Sequence, residues 1–146
     1  MVASVRKYLV RDIMSSPLIT SSPIKNVNDI AELMVENDIG AVVIVNDDNS
    51  LLGIVTKSDI IREVVAKGLQ PINVSVGQIM TKNPYYAFDD TPLDSAAELM
   101  GSKGIGHLPI LDSSTSKPIG ILSKRDILKL APHYIELVYQ LKARKS

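Results

Sequence analysis

The sequence predicts an α/β fold of the α+β kind, in which two β-α-β-β-α units are related by a pseudo-twofold axis and mixed sheets are flanked by helices. Three observations predict it. Blocks of similar sequence recur about 66 positions apart, each block alternates short apolar runs with helical patterns, and 45% of the 146 residues are hydrophobic. A unit of about 65 residues buries too little surface to be robust alone. We therefore expect the two units to pack on each other and to form a cleft.

The repeat extends across most of the chain. The sequence AELM at 31–34 returns at 97–100, displaced by 66 positions. The sequence GIVTKSDI at 53–60 returns as GILSKRDI at 120–127, displaced by 67 positions. The extra residue falls in the intervening turn, so both units have the same order of elements.

The first strand and the first helix of each unit have distinct patterns. Short apolar runs at 18–20 and 85–88 follow a proline and predict strands. Apolar residues at i, i+3, i+4 and i+7 then predict helices. These residues are Val27, Ile30, Ala31 and Met34 in the first unit, and Leu93, Ala96, Ala97 and Met100 in the second. Thr91 before Pro92 predicts an N-cap followed by proline at the first helical position.

A β-hairpin and a second helix complete each unit. Apolar runs at 41–45 and 51–55 predict the first hairpin, and runs at 108–111 and 119–122 predict the second. Apolar residues on one face predict the final helices. They are Ile60, Ile61, Val64 and Val65, before a terminating Gly68, and Ile127, Leu128 and Leu130 in the second unit.

The repeat also sets the domain organisation. We assign residues 9–68 to the first unit, 69–75 to a linker that contains proline and lacks periodicity, and 76–131 to the second unit. Residues 132–146 fall outside the repeat and predict a short amphipathic helix with a basic end. A partner-docking role is the alternative for this tail.

Composition excludes several classes of function. The formal net charge is zero, so nucleic acid is not an expected partner. The absence of cysteine removes disulfides and thiolate chemistry and favours a cytoplasmic location. No apolar run approaches the ~20 residues that span a bilayer, so we expect a soluble protein without a membrane partner. The two histidines occur without HExxH, GxSxG or phosphate-loop motifs, so we expect no enzyme activity, no metal site and no required cofactor.

The sharpest local signal is a hydroxyl residue followed three positions later by aspartate, where a strand leads into a helix. It occurs as Thr56 with Asp59 and as Ser123 with Asp126. Such a pair is first of all an N-cap. A carboxylate also accepts hydrogen bonds from the vicinal hydroxyls of a ribose, and a helix N-terminus with a hydroxyl favours phosphate. Both roles are compatible.

The ordered set of motifs, occurring twice, resembles the cystathionine-β-synthase-type (CBS) domain family, in which two motifs form one Bateman module. The resemblance covers residues ~9 to 131. It implies the same β-α-β-β-α pair, with adenosine ligands in the cleft between the motifs. Asp59 and Asp126 would bind ribose hydroxyls, and Thr56 and Ser123 would lie beside the ribose or phosphate.

The resemblance also implies that the main chain reads the adenine while apolar side chains sandwich the ring. The matching residues lie in the first strands and in the loops that open the hairpins: Ile19, Thr20, Ile39, Gly40, Ala41, Tyr86, Ala87, Ile105, Gly106 and Pro109. Lys57, Lys124 and Arg125 are candidates for phosphate contact. Simple solvation of these cations at a helix start is the alternative.

The two units differ at positions that would approach phosphate. His107 matches Ala41, and Arg125 matches Ser58. The resemblance implies that His107 faces phosphate, with packing at the loop edge as the alternative. We therefore expect two non-identical sites.

These features together predict a regulatory sensor of AMP, ADP or ATP. The resemblance implies that it forms a homodimer through its helices and signals in trans to a protein partner. The alternatives are a sensor of S-adenosylmethionine, a nucleic-acid-binding protein that uses the basic tail, and a structural dimerisation module with empty clefts.

Overall fold

The computed structural model describes residues 7–130. The first half contains α1 (Val10–Ile13), β1 (Thr20–Ser21), α2 (Val27–Asn37), β2 (Ala41–Val45), β3 (Leu51–Thr56) and α3 (Lys57–Ile60). A π-helical turn at Ile61–Val65 continues α3, and 3-10 turns at Pro71–Asn73 and Val76–Gln78 follow. The second half contains β4 (Thr81–Lys82), β5 (Ala87–Phe88), α4 (Leu93–Lys103), β6 (His107–Leu111), β7 (Pro118–Ser123) and α5 (Lys124–Leu128).

The strands form two mixed sheets. The first has the order β1-β2-β3-β4, with β1 parallel to β2 and the other pairs antiparallel. The second has the order β5-β6-β7, with β5 parallel to β6 and β7 antiparallel to it. The two hairpins share one register, because Ala41 faces Thr56 in the first and His107 faces Ser123 in the second. The predicted fold class is confirmed.

Each sheet is completed by the segment that opens the other unit. Thr81 in β4 pairs with Ile54 of the first sheet. Ser15 pairs with Ile121 of the second sheet, with backbone hydrogen bonds of 2.8 and 3.2 Å. The two halves therefore exchange edge segments, and neither sheet is built from one half alone.

The hydrophobic cores follow the same exchange. In the first core the helix α2 covers the hairpin, and Val76 comes from the start of the second unit. In the second core α4 covers the hairpin, and the fully buried Val10 comes from α1. A third cluster joins Val27, Val64 and Val74 beneath the connection between the halves.

Two glycines allow the exchanged segments to approach. A Cβ on Gly53 would lie 2.7 Å from both Met80 Sδ and the Thr81 carbonyl oxygen. A Cβ on Gly120 would lie 2.7 Å from Met14 Sδ and 3.0 Å from the Ser15 carbonyl oxygen. Glycine is needed at both places because the edge segment packs directly against the strand.

Two local expectations are corrected. The first strands are shorter than predicted, because Tyr85 and Tyr86 are half exposed and only Ala87–Phe88 pairs in the second unit. Thr91 does not cap α4: Pro92 is the N-cap residue, and the Thr91 hydroxyl instead accepts a hydrogen bond from the Phe88 N–H at 3.0 Å. The helix α2 has the better cap, since the Asn26 side chain accepts from the Asp29 N–H.

The final helix of the first unit also differs from the expectation. Val64 is fully buried, but Ile61 and Val65 are 61% and 62% exposed. The π-helical turn accompanies this change in which residues face the core. The predicted tail helix at 132–146 lies outside the described residues.

Candidate ligand-binding cleft

One cleft of about 1330 Å³ runs between the halves, and both contribute to its walls. It brings together fourteen of the residues that the sequence predicts for a ligand site. They are Ile19, Ile39, Gly40, Ala41, Thr56, Lys57, Asp59, Ile105, Gly106, His107, Ser123, Lys124, Arg125 and Asp126.

Four predicted residues do not line this cleft. Ala87 is buried within the second core, and Pro109 is buried in β6 between the core residues Leu108 and Ile110. Thr20 lies in β1 opposite Val43. Tyr86 lines a separate cavity of about 330 Å³. The cleft wall near it is formed instead by Pro84 and Tyr85.

Thr56 and Asp59 cap the start of α3, as the repeated motif predicts. The Thr56 hydroxyl accepts from the Asp59 N–H at 3.3 Å, and Asp59 Oδ2 accepts from the Thr56 N–H at 2.9 Å. This reciprocal arrangement is a capping box. Because Oδ2 is used in the cap, Oδ1 is the oxygen available to other partners.

The helix α5 has the same arrangement. The Ser123 hydroxyl accepts from the Asp126 N–H at 3.0 Å, and Asp126 Oδ2 accepts from the Ser123 N–H at 2.9 Å. Asp59 and Asp126 are the buried charged residues of the described chain, 7% and 2% exposed. Two buried carboxylates thus line the cleft at related positions.

The Oδ1 atoms of the two carboxylates have different partners. Arg62 Nη2 donates to Asp59 Oδ1 at 2.7 Å. Asp126 Oδ1 instead accepts from the Ser15 hydroxyl at 2.9 Å, with Lys129 Nζ at 3.5 Å. Sequence reasoning missed all three of these cleft-lining partners. The repeat held a signal for two of them, because Arg62 and Lys129 are basic residues 67 positions apart.

The glycine loops at 40 and 106 are fixed by the helices. The Gly40 carbonyl accepts from the Lys57 N–H at 3.0 Å, and the Gly106 carbonyl accepts from the Lys124 N–H at 3.0 Å. A Cβ on Gly40 would lie 3.7 Å from Lys57 Cε, and one on Gly106 would lie 3.8 Å from Lys124 Cε. Each lysine therefore extends its stem across the glycine of its own half.

His107 lies where the two halves meet. A Cβ on Gly40 would lie 3.5 Å from His107 Nε2, so the imidazole of the second half reaches the loop of the first. Burial lowers the pKa of His107, and the charges of Lys57 and Lys124 lower it further, whereas Asp126 opposes the shift. His107 thus lies between the glycine loops of the two halves rather than at one end of the cleft.

The cleft concentrates positive charge. Six lysine and arginine residues line it, against three aspartates, although the whole chain has a net charge of zero. The cations are Lys57, Arg62, Lys82, Lys124, Arg125 and Lys129. A concave surface of one sign raises the local concentration of anions. The cleft is electrostatically suited to an anionic ligand.

Metal-binding clusters and membrane-spanning helices are both absent from residues 7–130. No group of three or more His, Cys, Asp or Glu side chains in this part of the chain is arranged to hold a metal ion. No helix in it is long and apolar enough to cross a membrane.

A paired repeat that encloses a cleft of this kind defines a ligand-binding regulatory module. The chain belongs to the CBS domain family, which matches residues 10–66 and 76–133. The tandem pair predicted by the sequence is thereby confirmed.

The chain is similar to known proteins in sequence and in structure. A protein of Methanopyrus kandleri whose function is uncharacterised is 35% identical over 134 residues, which are 92% of this chain and 68% of that protein. The homoserine O-acetyltransferase of Methanohalobium evestigatum is 33% identical over 125 residues, but the match spans 24% of that enzyme. The solved CBS domain pair of protein MJ0100, in complex with 5′-methylthioadenosine and S-adenosyl-L-methionine, is 29% identical with a TM-score of 0.79. The structural match covers 88% of this chain and 99% of that pair.

Proposed function

We propose that this CBS pair is a sensor that binds adenosine nucleotides, AMP, ADP or ATP, in its cleft and reports their level to a protein partner in trans. The observation that carries the proposal is the combination of two buried carboxylates with an excess of cations in one cleft. The carboxylates suit a ribose, and the cations suit its phosphates. The adenosine-derived ligands of the MJ0100 pair support the adenosine part.

The ribose would be held at the helix starts. Asp59 Oδ1 and Asp126 Oδ1 are not used by the capping boxes, so each is a candidate acceptor for a ribose hydroxyl. The hydroxyls of Thr56 and Ser123 already accept from helix N–H groups, and each has a proton to donate. The main chain of the loops at 40 and 106 would face the base.

The phosphates would lie toward the middle of the cleft. His107, Lys57 and Lys124 are the positively charged or protonatable side chains there. Charge-assisted hydrogen bonds from such groups to phosphate are stronger than neutral ones. A sensor of S-adenosylmethionine is the second candidate, favoured by the ligands of the MJ0100 pair. Its sulfonium cation would be repelled by the same side chains, which is why we place the nucleotides first.

We also propose that the chain forms a homodimer through its helices. Ile61 and Val65 are more than half exposed on the outer side of the first half, where a second copy would cover them. Size-exclusion chromatography with light scattering tests this directly. We expect a dimer for the wild type and a monomer for Ile61→Lys combined with Val65→Lys. A monomeric wild type would contradict the homodimer.

A thermal-shift panel tests the ligand. Adenosine, AMP, ADP, ATP, S-adenosylmethionine and 5′-methylthioadenosine are each added to the full chain. A ligand at a hundredfold excess over its Kd stabilises the folded state by roughly 2.7 kcal/mol. We expect the largest rise in melting temperature with a phosphorylated compound. If no adenosine compound raises it, the proposal is wrong, and a structural dimerisation module remains.

A duplex DNA in the same panel tests the nucleic-acid alternative. We expect no rise in melting temperature with DNA at moderate salt, because the chain has zero net charge and six of its cations lie inside the cleft, so few phosphate contacts are available.

A further inference from the structure

The hydrogen bond between Ser15 and Asp126 joins positions 111 residues apart in the chain. Ser15 lies near the start of the first unit, yet its backbone pairs with Ile121 of the second unit and its hydroxyl donates to Asp126 Oδ1 at 2.9 Å. It is the one link between the exchanged edge and a carboxylate of the cleft in the described part of the chain. Its counterpart Thr81 makes no such bond to Asp59, whose Oδ1 is bound by Arg62.

A ribose that binds Asp126 competes with Ser15 for the same carboxylate oxygen. Oδ2 of Asp126 accepts from the Ser123 N–H within the capping box, so Oδ1 is the oxygen left for a ligand. Oδ1 already has Ser15 at 2.9 Å and Lys129 at 3.5 Å. One carboxylate oxygen has about two lone-pair positions, so two ribose hydroxyls compete with Ser15 for them.

Ser15 is also connected to a segment that other interactions hold on the second half. The N–H groups of Val10 and Arg11 donate to the carbonyls of Thr91 and Asp89, both at 2.9 Å. Val10 is fully buried in the second core. The segment therefore has a packed anchor at one end and, at the other, the Ser15 bond that faces the cleft.

We propose that the bond from Ser15 to Asp126 is a latch that a ribose diol opens, so that ligand at the Asp126 end loosens residues 10–15 from the second sheet. The inference rests on the proposed function, since it requires an adenosine ligand in the cleft. Within the described residues the Asp59 end has no equivalent bond, so the Asp126 end alone is coupled to an exchanged segment. Ser15 is a positioning residue in this scheme, and the vicinal diol is the part of the ligand that acts on it.

Hydrogen–deuterium exchange of the full chain tests the latch. Adenosine and 2′,3′-dideoxyadenosine are compared at saturation, with binding of each verified by calorimetry. We expect adenosine to speed exchange of the amides at 10–15 by about tenfold, the change that corresponds to 1.4 kcal/mol. Dideoxyadenosine lacks the diol and leaves these amides unchanged. The peptide at 76–82, which covers the other exchanged segment, is the internal reference.

Two variants separate the latch from general loosening. In Ser15→Ala we expect exchange at 10–15 to be fast without ligand, to stay unchanged on addition of adenosine, and to be accompanied by a tighter adenosine Kd. Ser15 is exposed, so this substitution leaves the core intact. Thr81→Ala is the matched control and should behave as the wild type at 10–15.

The outcomes also distinguish the latch from the proposed function. If adenosine binds but slows or does not alter exchange at 10–15, or if Ser15→Ala keeps the ligand response, the latch is wrong and the sensor stands. If dideoxyadenosine speeds exchange as adenosine does, the diol is not the trigger and the latch is wrong. If neither compound binds the wild type, the proposed function fails and the latch fails with it.

Discussion

Arg62 and Asp59 form an ion pair in the cleft, with Arg62 Nη2 2.7 Å from Asp59 Oδ1. The carboxylate is nearly buried, whereas the guanidinium-bearing side chain is 62% exposed, so the pair stands at the boundary between protein and solvent. The same carboxylate closes the cap of α3 through its other oxygen. One side chain therefore has both a folding role and a position suited to ligand, and its removal must be judged by two measurements.

Asp59→Ala and Asp126→Ala are each expected to weaken adenosine-nucleotide binding by roughly 1.5–3 kcal/mol, the range for hydrogen bonds to a charged group. Each should also lower the free energy of unfolding by about 1 kcal/mol through the lost cap. Titration calorimetry and denaturant unfolding measure the two effects. Asn26→Ala, which removes the cap of α2 outside the cleft, should cost stability and leave binding unchanged. If the variant that carries both Asp59→Ala and Asp126→Ala binds with wild-type affinity, these carboxylates do not contact the ligand.

His107→Ala is expected to weaken AMP binding by about 1 kcal/mol and to leave adenosine binding unchanged, because the imidazole acts on phosphate and not on the base. Since the wild type should hold two unequal sites, the variant should also bring their AMP affinities closer. Calorimetric isotherms for both ligands measure this. An equal loss for AMP and adenosine would instead indicate a packing role at the loop edge.

The acid stability of the chain should depend on His107. Burial lowers its pKa below the ordinary 6.5, so the unfolded chain binds the proton more readily than the folded one. The stability that the neutral imidazole contributes is complete above pH 6.5 and is lost as pH falls through the depressed folded-state value. The melting temperature of His107→Gln should therefore fall less than that of the wild type when the pH is lowered from 7.5 to 5.5. A parallel loss in both proteins would contradict this, and His133→Gln reports on the other histidine.

Gly53→Ala and Gly120→Ala should each destabilise the fold by about 1–3 kcal/mol, as overpacking does, because the new methyl group meets backbone as well as a methionine. Gly101→Ala is the control: it lies in α4 with open space around it and should be neutral or stabilising by up to about 1 kcal/mol. Denaturant midpoints compare the three variants. Wild-type stability in Gly53→Ala would show that the edge segment shifts without cost.

Much of the fold could be predicted from the sequence because its signals are local and occur twice. The periodic apolar residues of α2 and α4 and the two hairpins lie where the repeat placed them. The predicted cap at Thr91 was wrong because the chain makes a tight turn from Phe88 to Thr91. In this turn the Thr91 hydroxyl accepts from the Phe88 N–H instead of from an N–H of the helix. Propensity could not reveal this competition between two backbone donors.

The site was harder to predict where it depends on contacts between distant parts of the chain. Thr56 and Asp59 are three residues apart, and their arrangement follows from the helix start. Ser15 and Asp126 are 111 residues apart, and only the exchange of edge segments brings them together. Ala87 was assigned to the adenine through its main chain, and the sequence did not indicate that its methyl group packs in the second core.

The exchanged edges also limit how the chain can be divided or recombined. A fragment that ends at Gly68 keeps the segment that belongs to the second sheet and lacks β4 of its own. In a chimaera that joins the first half of this chain to the second half of a relative, Gly53 must fit the residue at the place of Met80, and Met14 must fit the residue at the place of Gly120. The choice of junction within the linker does not by itself preserve these contacts. Substitutions in one half are thus constrained by residues of the other, and the two repeats must diverge as a pair.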